Sequence, residues 1–328
     1  MRSEIIGWDK ISGGGHPMRS WHPPFWIGDR LFTVEDLVFI KRMVREFGKL
    51  SRTELAATVC ENLPWKAPNG KIRVNGCRLL LEEMADAGLI VLPPKKLGGD
   101  RKSYCHTKVP PVLTTEIKCS LSRLSPVTVD VVPNSELAVW NSTMAAYHPM
   151  GFRQPFGAHQ RYWIRSEGKA NTIVLGAMLF AAPAKALADR DAWIGWTTLQ
   201  RQRFRYRIVS NSRFLILPGI QVPHLASHVL GLAVRRLRKD WVERYGYAPV
   251  LVETFVTSPH KGTCYRAANW RFVGETASNG RSCRIKRSHA PIRTIFVYPL
   301  VRNWRAELCA PELSVDEESD ADAVIDFT

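Results

Sequence analysis

The sequence predicts an α+β chain, with a small helical domain closed by a basic hairpin ahead of a mixed α/β sheet domain. Three observations predict it. Residues 32–89 carry three stretches of helical periodicity with capping signals. From about residue 137 the chain turns to successive strand-like runs. The last of these alternate with a long helix and a short one, the element order of a mixed sheet. At 328 residues, two compact domains plus tails are expected.

An arm is expected over 1–29 and the helical domain over 30–105. In "FTVEDLVFIKRMVREFG" (32–48), Thr33 is placed to cap a helix. Glu35 and Asp36 suit the positive end of its dipole, and Leu37, Ile40, Val44 and Phe47 recur at helical spacing. "SRTELAATVCENLPW" opens on Ser51 with Glu54 three residues later, a capping box, and stops before Pro64. "VNGCRLLLEEMADAGLI" supplies a third helix through Leu79, Leu80, Met84 and Leu89, closed by Gly88. "IVLPPKK" and "GGDRKSYC" follow as two short extended runs about a Gly-Gly turn. Three helices and a basic hairpin are the order of a winged helix-turn-helix, whose third helix enters the major groove of DNA. Arg73, Asn75 and Arg78 would then read bases or phosphates, and Lys71, Lys95, Lys96, Arg101 and Lys102 would lie on backbone phosphates.

A Pro-containing linker with one or two short strands is expected over 106–136. The sheet domain then runs over 137–310. "ELAVWNSTMAAYHP" reads as a helix; "QRYWIRSE", "NTIVLGAMLFAAP", "AWIGWTTL", "YRIVSNSRFLILP" and "APVLVETFV" read as strands. "AAPAKALADR" and "ASHVLGLAVRRLRKDWVERYG" interrupt them as helices.

The charge balance narrows the partners. Lys and Arg number 46 against 30 Asp and Glu, a net +16. The tail 311–328 holds seven acids and no base, so the remainder carries about +23. A surplus of that size favours a polyanion, and a membrane is disfavoured by the lack of a lipidation motif or any run of apolar residues long enough to span a bilayer. No signal-peptide pattern is present, and seven scattered cysteines without a C-x-x-C pair argue for reduced thiols in the cytoplasm, with neither a zinc site nor a disulfide framework. "RQRFRYR" (201–207) reads as a strand with Arg201, Arg203, Arg205 and Arg207 in a row on one face. "GRSCRIKR" (280–287) adds Arg281, Arg284, Lys286 and Arg287 in a loop. Such runs grip phosphates without reading sequence, and Arg213 is expected to contact DNA with them. The acidic tail, disordered, is expected to fold over this surface as a DNA mimic, so deleting it should tighten DNA binding at low salt.

"RFLILPGIQVPHLASHVLGLAVRRLRKDWVERYGYAPVLVETFV" with "GTCYRAANWRFVGET" resembles the core of the GNAT acyltransferase fold: strand, phosphate-cradling turn, long helix, strand, short helix, strand. The resemblance places Gln221, His224 and Ala226 in the turn that holds the coenzyme A pyrophosphate at a helix N-terminus. His224 departs from the family's glycine, and a side chain there obstructs a phosphate. Tyr265 takes the place of a tyrosine that protonates the departing thiolate, or else its ring packs into the sheet with its hydroxyl on the main chain. Over about 30–305, blocks such as "RDAWIGW", "SNSRFLILP" and "DWVERYGYAPVLVETFV" look like the DruA-like proteins, named for the Druantia anti-phage system. That likeness implies DNA traffic in defence or in a mobile element, with a helicase among the partners, and assigns no reaction or cofactor.

Two more acids carry candidate chemistry. Glu253 interrupts the apolar strand "VLVETFV", which suits a general base of raised pKa or a salt bridge to one of the many arginines, Arg213 or Arg266 for instance. Asp191 in "RDAWIGW" is the second. His224 and His228, four apart, share a helix face only if the helix begins by Pro223, and no metal site is expected. The chain is thus read either as a DNA-binding protein that has lost coenzyme A binding or as an enzyme acting on DNA, by base modification or strand cleavage, through Glu253 and Tyr265.

Overall fold

The computed structural model describes residues 21–27, 30–63, 65, 73–94, 109–124, 126–155, 157–167, 172–276 and 291–311, with the side chain of Glu61 left aside. Three helices stand where the sequence puts them: α1 (Val34–Glu46), α2 (Arg52–Asn62) and α3 (Val74–Asp86). Thr33 with Asp36, and Ser51 with Glu54, form reciprocal capping boxes that fix the starts of α1 and α2. Ahead of α1, within the expected arm, β1 (Phe25–Ile27) pairs with β2 (Arg30–Phe32) as a hairpin. Phe25 stacks on Phe32, which meets the Trp65 ring edge-on at 5.0 Å. After α3, residues 90–94 form no strand, and the rest of the expected hairpin lies outside the described residues.

The expected linker contributes to the sheet domain. β3 (Ile117–Lys118) pairs in parallel with β8 (Ile220–Gln221), and β4 (Val127–Val131) joins the main sheet as an edge strand. Beyond it come α4 (Leu137–Tyr147), β5 (His159–Glu167), β6 (Thr172–Ala181), α5 (Ala188–Ile194), α6 (Thr198–Phe204) and β7 (Ile208–Ile216). The remainder is α7 (Leu225–Tyr245), β9 (Leu251–Thr257), α8 (Thr263–Ala267), β10 (Arg271–Glu275), β11 (Arg293–Pro299) and α9 (Trp304–Leu308). The seven strands lie in the order β10-β11-β9-β7-β6-β5-β4, antiparallel throughout except at β7-β9, the two strands joined by α7. The molecule is therefore α+β with one large mixed sheet.

Two strand expectations are corrected. "AWIGWTTL" ends α5, turns at Gly195 and starts α6. "RQRFRYR" is the end of α6 and a 3-10 turn over Arg205–Arg207. Its period-2 alternation of Arg reads as a strand, but Thr197 accepts from the Gln200 N–H and Gln200 reciprocates, and that local cap sets the helix.

The sheet has two differently packed faces. α7 and α8 cover one, where Met178, Phe180, Val252, Tyr265 and Phe296 join one core with Phe47, Leu55 and Leu80 of the N-terminal helices. The join is aromatic: Phe47 sits edge-on to Tyr206 and Tyr247 at 5.2 and 4.6 Å. The opposite face carries two separate apolar clusters, one around Trp140, Trp163 and Leu179 under α4, the other around Ile194, Leu251 and Trp304 under α5 and α9.

Candidate functional site

Glu253 lies on the α5 face and is fully buried. Its carboxylate accepts from the Ala184 N–H and from Arg190 Nη1, each at 2.7 Å. Arg190, equally buried, also donates to Asp191 Oδ1 and to the Ala184 carbonyl. Burial opposes the guanidinium's charge, but Glu253 and Asp191 outweigh it and push its pKa up. On Glu253 burial pushes the pKa up, and Arg190 pulls it back in part. Asp191 further accepts from the Leu187 N–H and pairs with Arg201 at 3.2 Å. The salt bridge foreseen for Glu253 thus exists, with Arg190 in place of Arg213 or Arg266. Next to Arg190 in sequence, the Asp189 carboxylate accepts from the Glu275 N–H, and a Cβ at Gly274 would lie 2.0 Å from it, so a glycine lets β10 close on α5.

Tyr265 lies on the other face. Its hydroxyl donates to Asn211 Oδ1 at 2.8 Å, its ring stacks on Phe296, and Trp270 meets it edge-on at 5.1 Å. Burial pushes the phenol's pKa up. Neighbouring strand residues alternate faces, and Thr254, which donates to the Asn211 carbonyl at 3.0 Å, is on the Tyr265 side. Glu253 and Tyr265 are therefore separated by the sheet, while Asp191 and Glu253 are joined through Arg190. Asn211 went unread in the sequence. Its place depends on a β-bulge in β7: Phe180 pairs with Asn211 and Leu179 with Arg213, leaving Ser212 unpaired. One extra residue turns Asn211 toward Tyr265 and Arg213 toward α4.

The β7-β9 ladder is short. Its pairs run from Ile208↔Leu251 to Ser210↔Glu253, and beyond them the two strands have no further register. Just after this parting, the α7 N-terminus gathers the residues expected to cradle phosphate. Gln221 ends β8, His224 is the N-cap at φ 64°, and Ala226 is in the first turn. The backbone thus takes a left-handed conformation natural to glycine, with an imidazole attached.

The arginines expected on nucleic acid divide sharply. Arg201 pairs with Asp191, Arg207 with Glu307, and Arg205 is buried with its Nη2 donating to Asn62 Oδ1 at 2.8 Å, between the helical part and the sheet. Arg203 lies over the Phe204 ring. The row of guanidiniums is thus absent, because the segment is helical. Arg73 is the N-cap of α3, Asn75 is exposed, and Arg78 pairs with Glu82 at 3.4 Å. Past its first turns α3 shows Leu79, Glu83 and Asp86 to solvent, an acidic surface toward its C-terminal end. Lys71, Lys95, Lys96, Arg101, Lys102, Arg281, Arg284, Lys286 and Arg287 lie outside the described residues, as does the tail from 312.

Arg213 differs from these. Its Nε donates to the Gly151 carbonyl at 3.0 Å and its Nη1 to the Ser212 carbonyl at 2.7 Å, with no carboxylate at hand among the described residues. By contrast, a cleft of about 440 Å³ between β4, β5 and α7 is lined by Arg236 and Arg244, but Asp240 holds the first and Gln160 the second. Among the described residues, no group of His, Cys, Asp and Glu is arranged to hold a metal, and no helix is long and apolar enough to cross a membrane.

Strand order defines a mixed-sheet α+β protein whose parallel pair β7-β9 is joined by α7, and the sheet separates Glu253 from Tyr265. The family model described as Druantia protein DruA matches residues 113–286, which is 174 of the 328, and the chain belongs to that family. Solved structures similar in part include a spermidine N-acetyltransferase variant from Vibrio cholerae, at 9% identity and TM-score 0.36, covering 55% of this chain and 96% of the other. A putative acetyltransferase from Sphaerobacter thermophilus gives 11% and 0.29, covering 53% and 93%. The ribosomal-protein-S5-alanine acetyltransferase from Vibrio fischeri gives 9% and 0.34, covering 54% and 94%. No curated protein matches the chain.

Proposed function

We propose that this Druantia-family chain is a nucleic-acid-binding protein of anti-phage defence, using a winged-helix-like N-terminal part and a GNAT-like sheet domain that has given up acyl transfer. The observation that carries it is the charge: net +16 over the chain and about +23 outside the last 18 residues. In the N-terminal part the contacts belong to the first turns of α3, through Arg73, Asn75 and Arg78, because the acids farther along would face phosphates. Loss of acyl transfer is supported by His224 in the turn and by the buried, internally bonded Tyr265. Glu253 and Asp191 hold β9 to α5 through Arg190 and act as structural groups. A helicase of the same system fits as a partner, since the family implies a multi-component system.

The test is duplex and single-stranded oligonucleotide binding by the full chain across salt. Log affinity should fall linearly with log salt, by about 0.9 per duplex phosphate neutralised. Absence of binding at low salt would remove the reading. Adding acetyl-coenzyme A should leave nucleic acid mass and length unchanged; a modified or cut product would instead restore the enzymatic reading.

A further inference from the structure

On the α4 side of the sheet four arginines gather without an acid. Arg161 on β5 and Arg213 on β7 both pair with Leu179 of β6, so the two share a face one strand apart on either side. The segment between α4 and β5 lies over them. Its Gly151 carbonyl accepts from Arg213, its Gln154 side chain accepts from Arg161 at 3.0 Å, and the Arg161 guanidinium lies near the Trp140 and Phe152 rings, which meet each other edge-on. Arg153 of that segment is exposed. Arg293 begins β11 opposite Thr257, beyond the point where β7 and β9 part.

None of these four arginines has a carboxylate at ion-pairing distance among the described residues. Arg161 is only 4% exposed, and its remaining partner is His159 Nε2 at 2.8 Å, a neutral acceptor. A buried cation is costly without a counter-charge, and clustered cations add repulsion. The neighbouring arginines are otherwise neutralised within the protein, as Arg190, Arg201 and Arg207 are. This cluster is not so neutralised among the described residues, and it borders the gap between the two apolar clusters of that face.

We propose that this face holds a phosphate-type oxyanion, with Arg213 at the floor of the site and Arg153 and Arg293 at its rim. Two carbonyls fix the Arg213 guanidinium before any ligand arrives, and its Nη2 has no protein partner among the described residues. A fixed planar guanidinium suits phosphate oxygens. Burial, then Arg153 and Arg293, lower the Arg213 pKa, the signature of a cation that an anion would relieve. The adjacent His148 is pushed down to about 4, by burial and then by Arg213, so it stays neutral and accepts from the Met150 N–H. The site rests on the nucleic-acid reading for its source, a backbone phosphodiester.

The decisive experiment uses the full chain, labelled single-stranded and duplex oligonucleotides, and ATP as the free-phosphate arm. Arg153→Ser with Arg293→Ser is the main variant, since neither side chain makes a hydrogen bond among the described residues; an unchanged melting temperature confirms folding. Arg213→Met is the second. The double variant should weaken oligonucleotide binding at least ~10-fold at ~0.1 M salt and reduce the salt slope by about two. If the wild type binds oligonucleotide and all variants match it in affinity and slope, the site is overturned and the nucleic-acid reading survives. If only ATP binds, and Arg213→Met abolishes it, the site stands for a free nucleotide and the nucleic-acid reading falls. If neither ligand binds the wild type, both are overturned.

Discussion

Glu253 is worth more to the fold than a free carboxylate would be. Removing one partner of a buried pair strands the other, so Glu253→Gln should cost about 3–5 kcal/mol in a denaturant titration. Unchanged stability would return Glu253 to the list of catalytic groups. Tyr265→Phe loses the hydrogen bond to Asn211 and the longer one from Thr254, about 1–2 kcal/mol in all. His159 sets a pH dependence. Its ring is held near pKa 4, first by burial, with Arg161 and Arg244 adding to the fall while its Gly157 hydrogen bond and Glu54 oppose it. Below about 6.5 the unfolded chain takes a proton that the folded one refuses, so stability should drop as pH falls toward 4. His159 and His148, both held near 4, each add a slope of at most about 1.4 kcal/mol per pH unit, and His159→Gln should remove its own share in thermal melts.

At the scale of elements, capping chemistry was readable and strand register was not. Thr33, Ser51 and Glu54 announced α1 and α2, because caps are local hydrogen bonds between residues close in sequence. The segment "RQRFRYR" misled because alternation of Arg describes a strand only if the backbone is extended, and the Thr197 cap lies upstream of the pattern. Arg190 as the Glu253 partner, 63 residues away, and the bulge at Ser212 are tertiary facts that no spacing encodes. The α8 terminus is clearer with geometry. Asn269 is left-handed at φ 63°, its N–H reaches the Arg266 carbonyl, and the Trp270 N–H reaches back to Tyr265. This is a Schellman closure with asparagine where glycine is usual. Asn269→Gly should be tolerated, while Asn269→Val should cost about 1–2 kcal/mol by calorimetry. At the mouth of α8, a Cβ on Gly262 would lie 2.5 Å from the Phe296 ring.

For the whole molecule, the shared core predicts one unfolding event. Phe47 of the helical part packs among Tyr206 and Tyr247 of the sheet part, and Arg205 bonds Asn62 across the join. A calorimetric scan should show a single transition, whereas two resolved peaks would mean that the helical part folds alone. Phe47→Ala, at about 3–5 kcal/mol, should lower that transition as a unit. The element order of the sheet domain was legible from β7 to β10 but not before β7, where α5 and α6 replace an expected strand; the union of the two parts was not legible, since it depends on aromatic residues more than 150 positions apart.

The unpaired Ser212 has a consequence for descent as well as for shape. A strand's inward and outward residues are fixed by odd and even count, and this one residue resets the count between Asn211 and Arg213. Deleting it would make Asn211 and Arg213 direct neighbours, which an unbulged strand also sends to opposite faces, so the amide would stay with the tyrosine cluster and the guanidinium with the arginines. The extra residue therefore carries no side of the sheet by itself, and a relative whose strand is shorter by this one residue keeps both faces with a regular ladder in place of the bulge.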